Sequence, residues 1–330
     1  MRITILFGGT NKERLVSVAS AQALHAALPD ADLWFWEADD SVHETASQTL
    51  LAHARPFEDP FTPGGRRVGH NIEQALDQAN VEDRLLVIGL HGGRAENGEL
   101  QAMCEMRGIP FTGSGSASSH LAFDKIAAKR FAALAGVKAP KDVVLEQLDA
   151  AFAEYGKLIA KPVRDGSSYG LMFVNSKQDL VAVRRAAKTE DYLIEPCIAG
   201  VEATCAVLEQ SDGSVIALPL IEIVPADGGF DYVAKYLAKS TQEICPGRFT
   251  PETTEEIKDQ ALRAHQALSC TGYSRSDFIV SDKGSIYLET NTLPGLTKAS
   301  LYPKALNAQG IGFADFLHDQ IKLAAQRAQK

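Results

Sequence analysis

The sequence predicts an α/β protein whose first third rests on a parallel sheet and whose remainder mixes helices with short and paired strands. Three observations lead there. Apolar runs alternate with amphipathic stretches from Arg2 to about residue 113, which is the pattern of strands joined by helical crossovers. Beyond Ser114 the strands shorten and a lysine-bearing helix appears. Near the end, Ser274–Asn291 alternates with a period of two on either side of a polar turn, the pattern of a hairpin.

Taken in order, Arg2–Phe7 reads as a strand, Gly8-Gly9-Thr10 as a glycine turn, and Glu13 to Leu28 as an amphipathic helix. Asp32–Trp36 is a second strand. A polar stretch over Pro56–Gly69 precedes a helix, and Arg84–Leu90 is a compact apolar strand ending at His91-Gly92-Gly93. Ligands of such sheets gather at the carboxyl ends of the strands. Ser118–Ala135 reads as one helix, followed by strands at Leu158–Pro162, Leu171–Val174 and Tyr192–Glu195 with a helix at Lys177–Lys188. Strands Glu202–Leu208 and Ile216–Ile223, a loop to about Phe249, a helix over Pro251–Leu268, the hairpin and a C-terminal amphipathic helix complete the chain. The expected units are 1–113, 114–195 and 196–330.

With 330 residues, 45% of them hydrophobic, and no single-charge tract, the chain should be globular throughout. A net charge of -9 argues against a nucleic-acid or membrane-surface binder, so any anion must be held in a local basic pocket. The five cysteines form no C-x-x-C pair and no zinc spacing, which suggests reduced thiols in a cytoplasmic protein. The apolar run after Arg2 is too short for a signal segment, and no stretch is long enough to span a bilayer.

Four segments carry chemistry. In the hairpin, pairing Val280 with Ile286 across a five-residue Ser281–Ser285 loop sets Asp277 opposite Glu289, with Asn291 on the same face. Three hard oxygen donors of this kind suit Mg2+; a solvated acidic face is the plainer alternative. Lys161-Pro162 followed by Asp165-Gly-Ser-Ser-Tyr-Gly170 places a point charge before a small-residue loop whose N–H groups can approach phosphate, although a flexible turn would look the same. Thr10 and Glu13 have the spacing of a capping box, so Glu13 is either a helix cap or a site residue. His91-Gly-Gly-Arg-Ala-Glu96-Asn97-Gly98 lies just past a buried strand, where polar loops carry function.

Together and in this order these segments resemble the D-alanine:D-alanine ligase branch of the ATP-grasp fold. The likeness runs from Phe7-Gly-Gly-Thr-Asn-Lys-Glu13 through Asp124-Lys125, Lys161-Pro162, Glu202, Asp231-Tyr-Val-Ala-Lys235-Tyr236 and Arg275-Ser-Asp277 to Glu289-Thr-Asn291-Thr-Leu-Pro-Gly295 and Ser300-Leu301. The resemblance implies an N-terminal parallel-sheet domain followed by an ATP-grasp. It assigns Lys125 and Lys161 to the ATP phosphates, with Ser168 in the loop closing over them. Glu195, Pro196, Cys197 and Ile198 would border the adenine, and Glu202 would bond the ribose. Asp277, Glu289 and Asn291 would bind two Mg2+ ions, with Mn2+ able to substitute. Glu13 would accept the ammonium of the first D-alanine, with Ser167 and Tyr236 linked to it across the closed site. Lys235, Ser300, Leu301 and His91 would line the amino-acid site, and Arg275 with the Gly295 N–H would meet the developing oxyanion.

The implied reaction joins two D-alanines for peptidoglycan through an acyl phosphate, in a cytoplasmic homodimer. Ala95, Asn97, Phe230 and Leu296 depart from the usual family residues, which bears on substrate choice; Lys235-Tyr236 favours a dipeptide product. Three other readings compete. A dinucleotide-binding dehydrogenase lacks the third glycine of its fingerprint. A silent ATP-binding regulator would not retain the metal and phosphate positions, and a ligase for a different amino-acid pair differs only in its pocket.

Overall fold

The computed structural model describes residues 1–166, 169–224 and 241–328. The first sheet has the order β4-β3-β2-β1-β5. Its centre is parallel, as expected: β1 (Arg2–Gly8) lies between β2 (Asp32–Trp36) and β5 (Arg84–Ile88), with Ile5 beside Leu33 and Val87. Two antiparallel strands that the sequence did not announce, β3 (Val42–Thr45) and β4 (Gly64–Gly69), extend one edge. Alternation along β1 sends Ile5 and Phe7 to one face, against α1 (Arg14–Ala27), and Leu6 to the other. A short α2 (Ser47–Ala52) follows β3, and α3 (Ile72–Val81) and α5 (Glu99–Glu105) cover the second face, with the single turn α4 (Gly93–Glu96) before α5. Trp34, Trp36 and Leu86 are fully buried there, each worth roughly 1.5–3 kcal/mol relative to exposure.

The helix expected over Ser118–Ala135 is two helices, α6 (Ser116–Phe123) and α7 (Lys125–Leu134). Asp124 divides them: it leaves the helical conformation and its Oδ1 accepts from the Ala127 N–H at 2.9 Å, capping α7. After α8 (Leu148–Tyr155), a three-stranded antiparallel sheet follows in the order β7-β6-β8, from β6 (Leu158–Pro162), β7 (Met172–Val174) and β8 (Tyr192–Pro196), with α9 (Lys177–Ala186) on its apolar side.

The third sheet runs β12-β11-β9-β13-β14. It comprises β9 (Val201–Glu209), β11 (Ile221–Val224), β12 (Gln242–Ile244), β13 (Tyr273–Ser281) and β14 (Gly284–Asn291), with β10 (Val215–Ala217) on β9. The run read as one strand over Ile216–Ile223 is therefore two, β10 and β11, with Leu218–Leu220 between them. The core face of this sheet presents Phe278 and Tyr287 to α10 (Pro251–Ala267), which starts at its Thr250 cap. The last helices, α11 (Leu301–Gln309) and α12 (Phe313–Arg327), add Tyr302 and Phe316 to Tyr273 in an aromatic cluster with centroids 5.4–5.6 Å apart. These rings share one apolar core with Ile5 and Phe7, so the first and third sheets are welded by burial. Among the described residues no helix is long and apolar enough to cross a membrane, and all five cysteines are free.

Candidate active site

The site forms where the carboxyl ends of β1 and β5 face the hairpin β13–β14. Gly8 can only be glycine, because its φ is 98° and a Cβ would meet the Trp36 carbonyl at 2.4 Å. Ser17 Oγ accepts from the Gly8 N–H at 2.7 Å and donates to the Gly89 carbonyl at 2.6 Å, tying α1 to both strand ends. The capping box does not form. Glu13 is itself the helix cap and makes no side-chain cap bond, while its N–H donates to Asn11 Oδ1 at 2.7 Å. Asn11 in turn donates to the His91 carbonyl at 2.7 Å, bracing the two loops against each other. The Glu13 carboxylate is thereby buried in a cavity instead of on its own helix end.

Two cavities meet at this point. An inner one of about 170 Å³ is lined by Glu13, His91, Glu96, Arg275, Asn291, Gly295, Ser300 and Leu301. An outer one of about 680 Å³, large enough for a nucleotide, is lined by Lys161, Glu195–Glu202, Asp277, Ile279 and Leu288. Lys125, Asp165, Gly166 and Glu289 belong to both walls.

At the junction the hairpin differs from expectation in an instructive way. Its turn is two residues, not five: Ser281 pairs with Gly284 and Val280 with Ser285, one position out of the expected register. A β-bulge at Leu288 then restores it, so that Asp277 does sit opposite Glu289 and Arg275 opposite Asn291. Asp277 is buried; its Oδ1 accepts from Thr204 Oγ1 at 2.6 Å, and Arg275 grips both oxygens at 2.9 Å. Asn291 Oδ1 accepts from the Leu293 N–H at 2.8 Å, which sets the turn into Pro294-Gly295. Among the described residues no group of three or more His, Cys, Asp or Glu could hold a metal alone. Two carboxylates and an amide on one face nevertheless fit Mg2+, whose shell is completed by water and phosphate oxygens.

Lys125 Nζ lies 3.6 Å from Glu289 Oε2 and donates to the Asp165 carbonyl, at the mouth between the cavities. Lys161 Nζ is 3.0 Å from Glu195 Oε2. The Glu195 carboxylate is almost fully buried and also holds Lys129, so it anchors two lysines as well as bordering the outer cavity beside Pro196, Cys197 and Ile198. Glu202 sits on β9 between Ile223 and Ile279 and lines the same cavity.

In the inner cavity His91 is held at both nitrogens. A carbonyl can only accept, so the 3.2 Å bond to Leu293 fixes the proton on Nδ1, and Nε2 accepts from Ser20 Oγ at 2.8 Å. Burial lowers its pKa to about 4, so it is neutral at pH 7. His91 lines the inner cavity, and its two ring nitrogens tie α1 to the loop that carries Leu293. Glu96, in the loop after β5, is half-buried beside Glu13 on the wall of the inner cavity. Burial first, and the Glu13 charge second, push its pKa up to about 8, against the Gly92 N–H that bonds Oε2 at 3.0 Å. Ser300 Oγ accepts from the Thr297 N–H at 3.1 Å at the start of α11, and Gly295 packs so closely that a Cβ would meet that oxygen at 2.7 Å.

Family models described as the D-ala D-ala ligase N-terminus and C-terminus match residues 2–114 and 129–322. The chain belongs to the D-ala D-ala ligase family. A relative from Desulforudis audaxviator named D-alanine--D-alanine ligase is 37% identical, covering 99% of each chain. One of the same name from Halalkalibacterium halodurans is 34% identical over 99% of this chain and all of its own. Among solved structures, the VanG D-Ala:D-Ser ligase from Enterococcus faecalis superposes with a TM-score of 0.77 at 30% identity, covering 98% of this chain and 99% of that one. Membership carries the ATP-grasp architecture and the carboxylate–amine ligase class with it.

Of the residues expected from the family likeness, Ser167, Ser168, Lys235 and Tyr236 lie outside the described residues, as does most of the 228–247 loop. The others gather on the two cavity walls. Glu96, Asn11 and Lys129 were missed as site residues. For Lys129 a signal existed, since it follows Lys125 by four positions and so shares its helix face.

Proposed function

We propose that this ligase joins two molecules of D-alanine into D-alanyl-D-alanine for peptidoglycan synthesis, using ATP and Mg2+ and passing through an acyl phosphate. The observation that carries the reading is the meeting of a nucleotide-sized cavity and a small amino-acid cavity at Lys125 and Glu289, the place where a phosphoryl group must cross between substrates. A carboxylate does not react with amines unaided, so the γ-phosphoryl of ATP first activates the carboxylate of the first amino acid. Asp277, Glu289 and Asn291 would hold two Mg2+, which neutralise charge on the transferring group. Lys125 and Lys161 orient the phosphates from the outer cavity. Glu13 takes the ammonium of the first substrate. Once the second amine attacks the acyl carbon, the tetrahedral oxyanion is met by Arg275 and the Gly295 N–H, and phosphate departs.

The small inner volume favours an alanine-sized side chain, and burial of the acyl phosphate there protects it from water. By the family likeness, Ser167 and Tyr236 would link to Glu13, Ser168 would serve the phosphates, and Lys235 with Ser300 would meet the second carboxylate. The working form is a cytoplasmic homodimer, with units at 1–113, 114–195 and 196–330. A phosphate-release screen with ATP, Mg2+ and a panel of D- and L-amino acids tests the reading: D-alanine alone should support turnover. A second reading, a different second amino acid such as D-serine, draws on the similarity to a D-Ala:D-Ser ligase. A mixed product formed in preference to the alanine dipeptide would establish it.

A further inference from the structure

The helix α7 carries two lysines one turn apart, and only Lys125 has a part in the reaction proposed above. Lys129 is 3% exposed and is bonded to both Asp142 and Glu195. Glu195 is 4% exposed, and its other oxygen holds Lys161 at 3.0 Å. On the sheet β6 pairs Ile159 with Glu195, which puts Lys161 diagonally across from Glu195 on one face. The four groups form a row, Asp142, Lys129, Glu195, Lys161, with two negative and two positive charges. Only its last member has a phosphate to serve.

A buried carboxylate next to a phosphate-binding lysine is a competitor for that lysine. We propose that Lys129 is a positioning residue which neutralises Glu195, so that Glu195 steers Lys161 toward the outer cavity without capturing it. The proposal rests on the ATP-dependent reading of the site. Physically, an ion pair in a buried setting is strong when its partner has no other counter-charge, and weakens when that partner is already satisfied. With Lys129 in place, Glu195 has a permanent partner and Lys161 is shared. When a nucleotide enters, Lys161 can turn its ammonium to the phosphates while Glu195 remains paired. Without Lys129, Glu195 would be a desolvated anion whose remaining cation among the described residues is Lys161, and phosphate would have to win that cation back. Asp142, about a third exposed, holds the far side of Lys129 and sits one residue before Val143, which bonds Ile194 of β8. The row is thus fixed to the strand that bears Glu195.

The test is a double-mutant cycle on the full chain, read by calorimetric binding of ADP with Mg2+ in the absence of amino acid and by KM for ATP and for D-alanine. Lys129→Met should weaken ADP binding and raise KM for ATP by about tenfold, the loss of one charge-assisted bond, with KM for D-alanine nearly unchanged. Glu195→Gln, which alters a residue bordering the nucleotide, is measured alone to close the cycle, and Lys129→Met/Glu195→Gln should bind ADP at least about threefold more tightly than the sum of the two single losses allows. Lys129→Arg keeps the charge and should bind ADP as wild type does. A double variant whose loss equals the sum of the two single losses overturns the proposal, because a merely structural lysine gives additive losses. Equal ADP binding by Lys129→Met and wild type overturns it too. Should Lys129→Met not fold, Lys129→Gln takes its place in the cycle and is judged by the same additivity. If wild type itself binds no ADP, the ATP-dependent reading fails, a result distinct from failure of the relay.

Discussion

Replacing Gly92 by alanine should separate the stability of the fold from the placement of Glu13. Gly92 has a φ of 64°, and a Cβ there would lie 2.0 Å from Glu13 Oε2 and 3.1 Å from its Cδ. With ψ at 176° this conformation is essentially reserved for glycine and costs an alanine on the order of 1–3 kcal/mol. The clash is relieved by moving the end of a side chain, so it adds little to that cost, but the carboxylate must retreat by about 1 Å to reach even the shortest Cβ contacts found in proteins. A displacement of that size at a substrate-orienting group can cost on the order of 100-fold in rate. Gly92→Ala is therefore expected to lower Tm by only a few degrees, roughly 2–6 °C. It should leave ADP·Mg2+ affinity intact and reduce kcat/KM for D-alanine by about 100-fold, mostly through KM. Phosphate release against D-alanine concentration, with calorimetric ADP titration alongside, measures all three. A KM for D-alanine within about twofold of wild type would show that Glu13 does not hold the ammonium.

Glu289→Gln should abolish turnover at any Mg2+ concentration, checked by phosphate release, because it removes a charge shared by both cavities. Glu96 has a pKa raised to about 8 in the fold and an ordinary value when unfolded, so the folded state binds the extra proton between about pH 4.5 and 8 and stability falls as pH rises through that window. Glu96→Gln should flatten that decline in a series of melting curves. His265, bonded to Ser274 and lowered to about 4 by burial, works the other way: it costs nothing above pH 6.5 and destabilises progressively as pH falls toward 4. Replacing it by Gln should remove part of the acid limb, of order 1–3 kcal/mol, in urea titrations at pH 4.5 and 7.

The parts of the fold that were legible are those with strong periodicity. Strands Arg2–Gly8, Asp32–Trp36 and Arg84–Ile88 are apolar because both faces of a central parallel strand are covered, and such runs stand out in sequence. Gly64–Gly69, by contrast, reads GGRRVG; it is an edge strand whose Arg66 pairs with Glu44 across to β3, and nothing apolar marks it. The break at Asp124 was hidden because helical periodicity runs on through it, and only a tertiary need, the tie from the Lys125 N–H to the Val163 carbonyl, turns the chain there. Glu13 illustrates the opposite limit. Its spacing from Thr10 is that of a cap, yet Asn11 occupies the N–H that a capping box would use. Local pattern could pose the alternative but not choose between its outcomes. The neighbours of the site residues, Glu96 and Lys129, are defined by partners 83 and 66 positions away, which no local window contains.

The bulge at Leu288 changes what the hairpin can tolerate over evolutionary time. Asp277 is placed by its pairing with Thr204 on β9, on the far side of the bulge from the Asp282-Lys283 turn. Residues can be gained or lost at that tip without moving Asp277 or Glu289, because the tip sits in its own register. Deletion of Leu288 would do the reverse: a change of one residue, far from any turn, would rotate Glu289 out of step with Asp277. Chains of this family are thus expected to vary in hairpin length at the tip and to keep a constant number of residues between the bulge and Asn291.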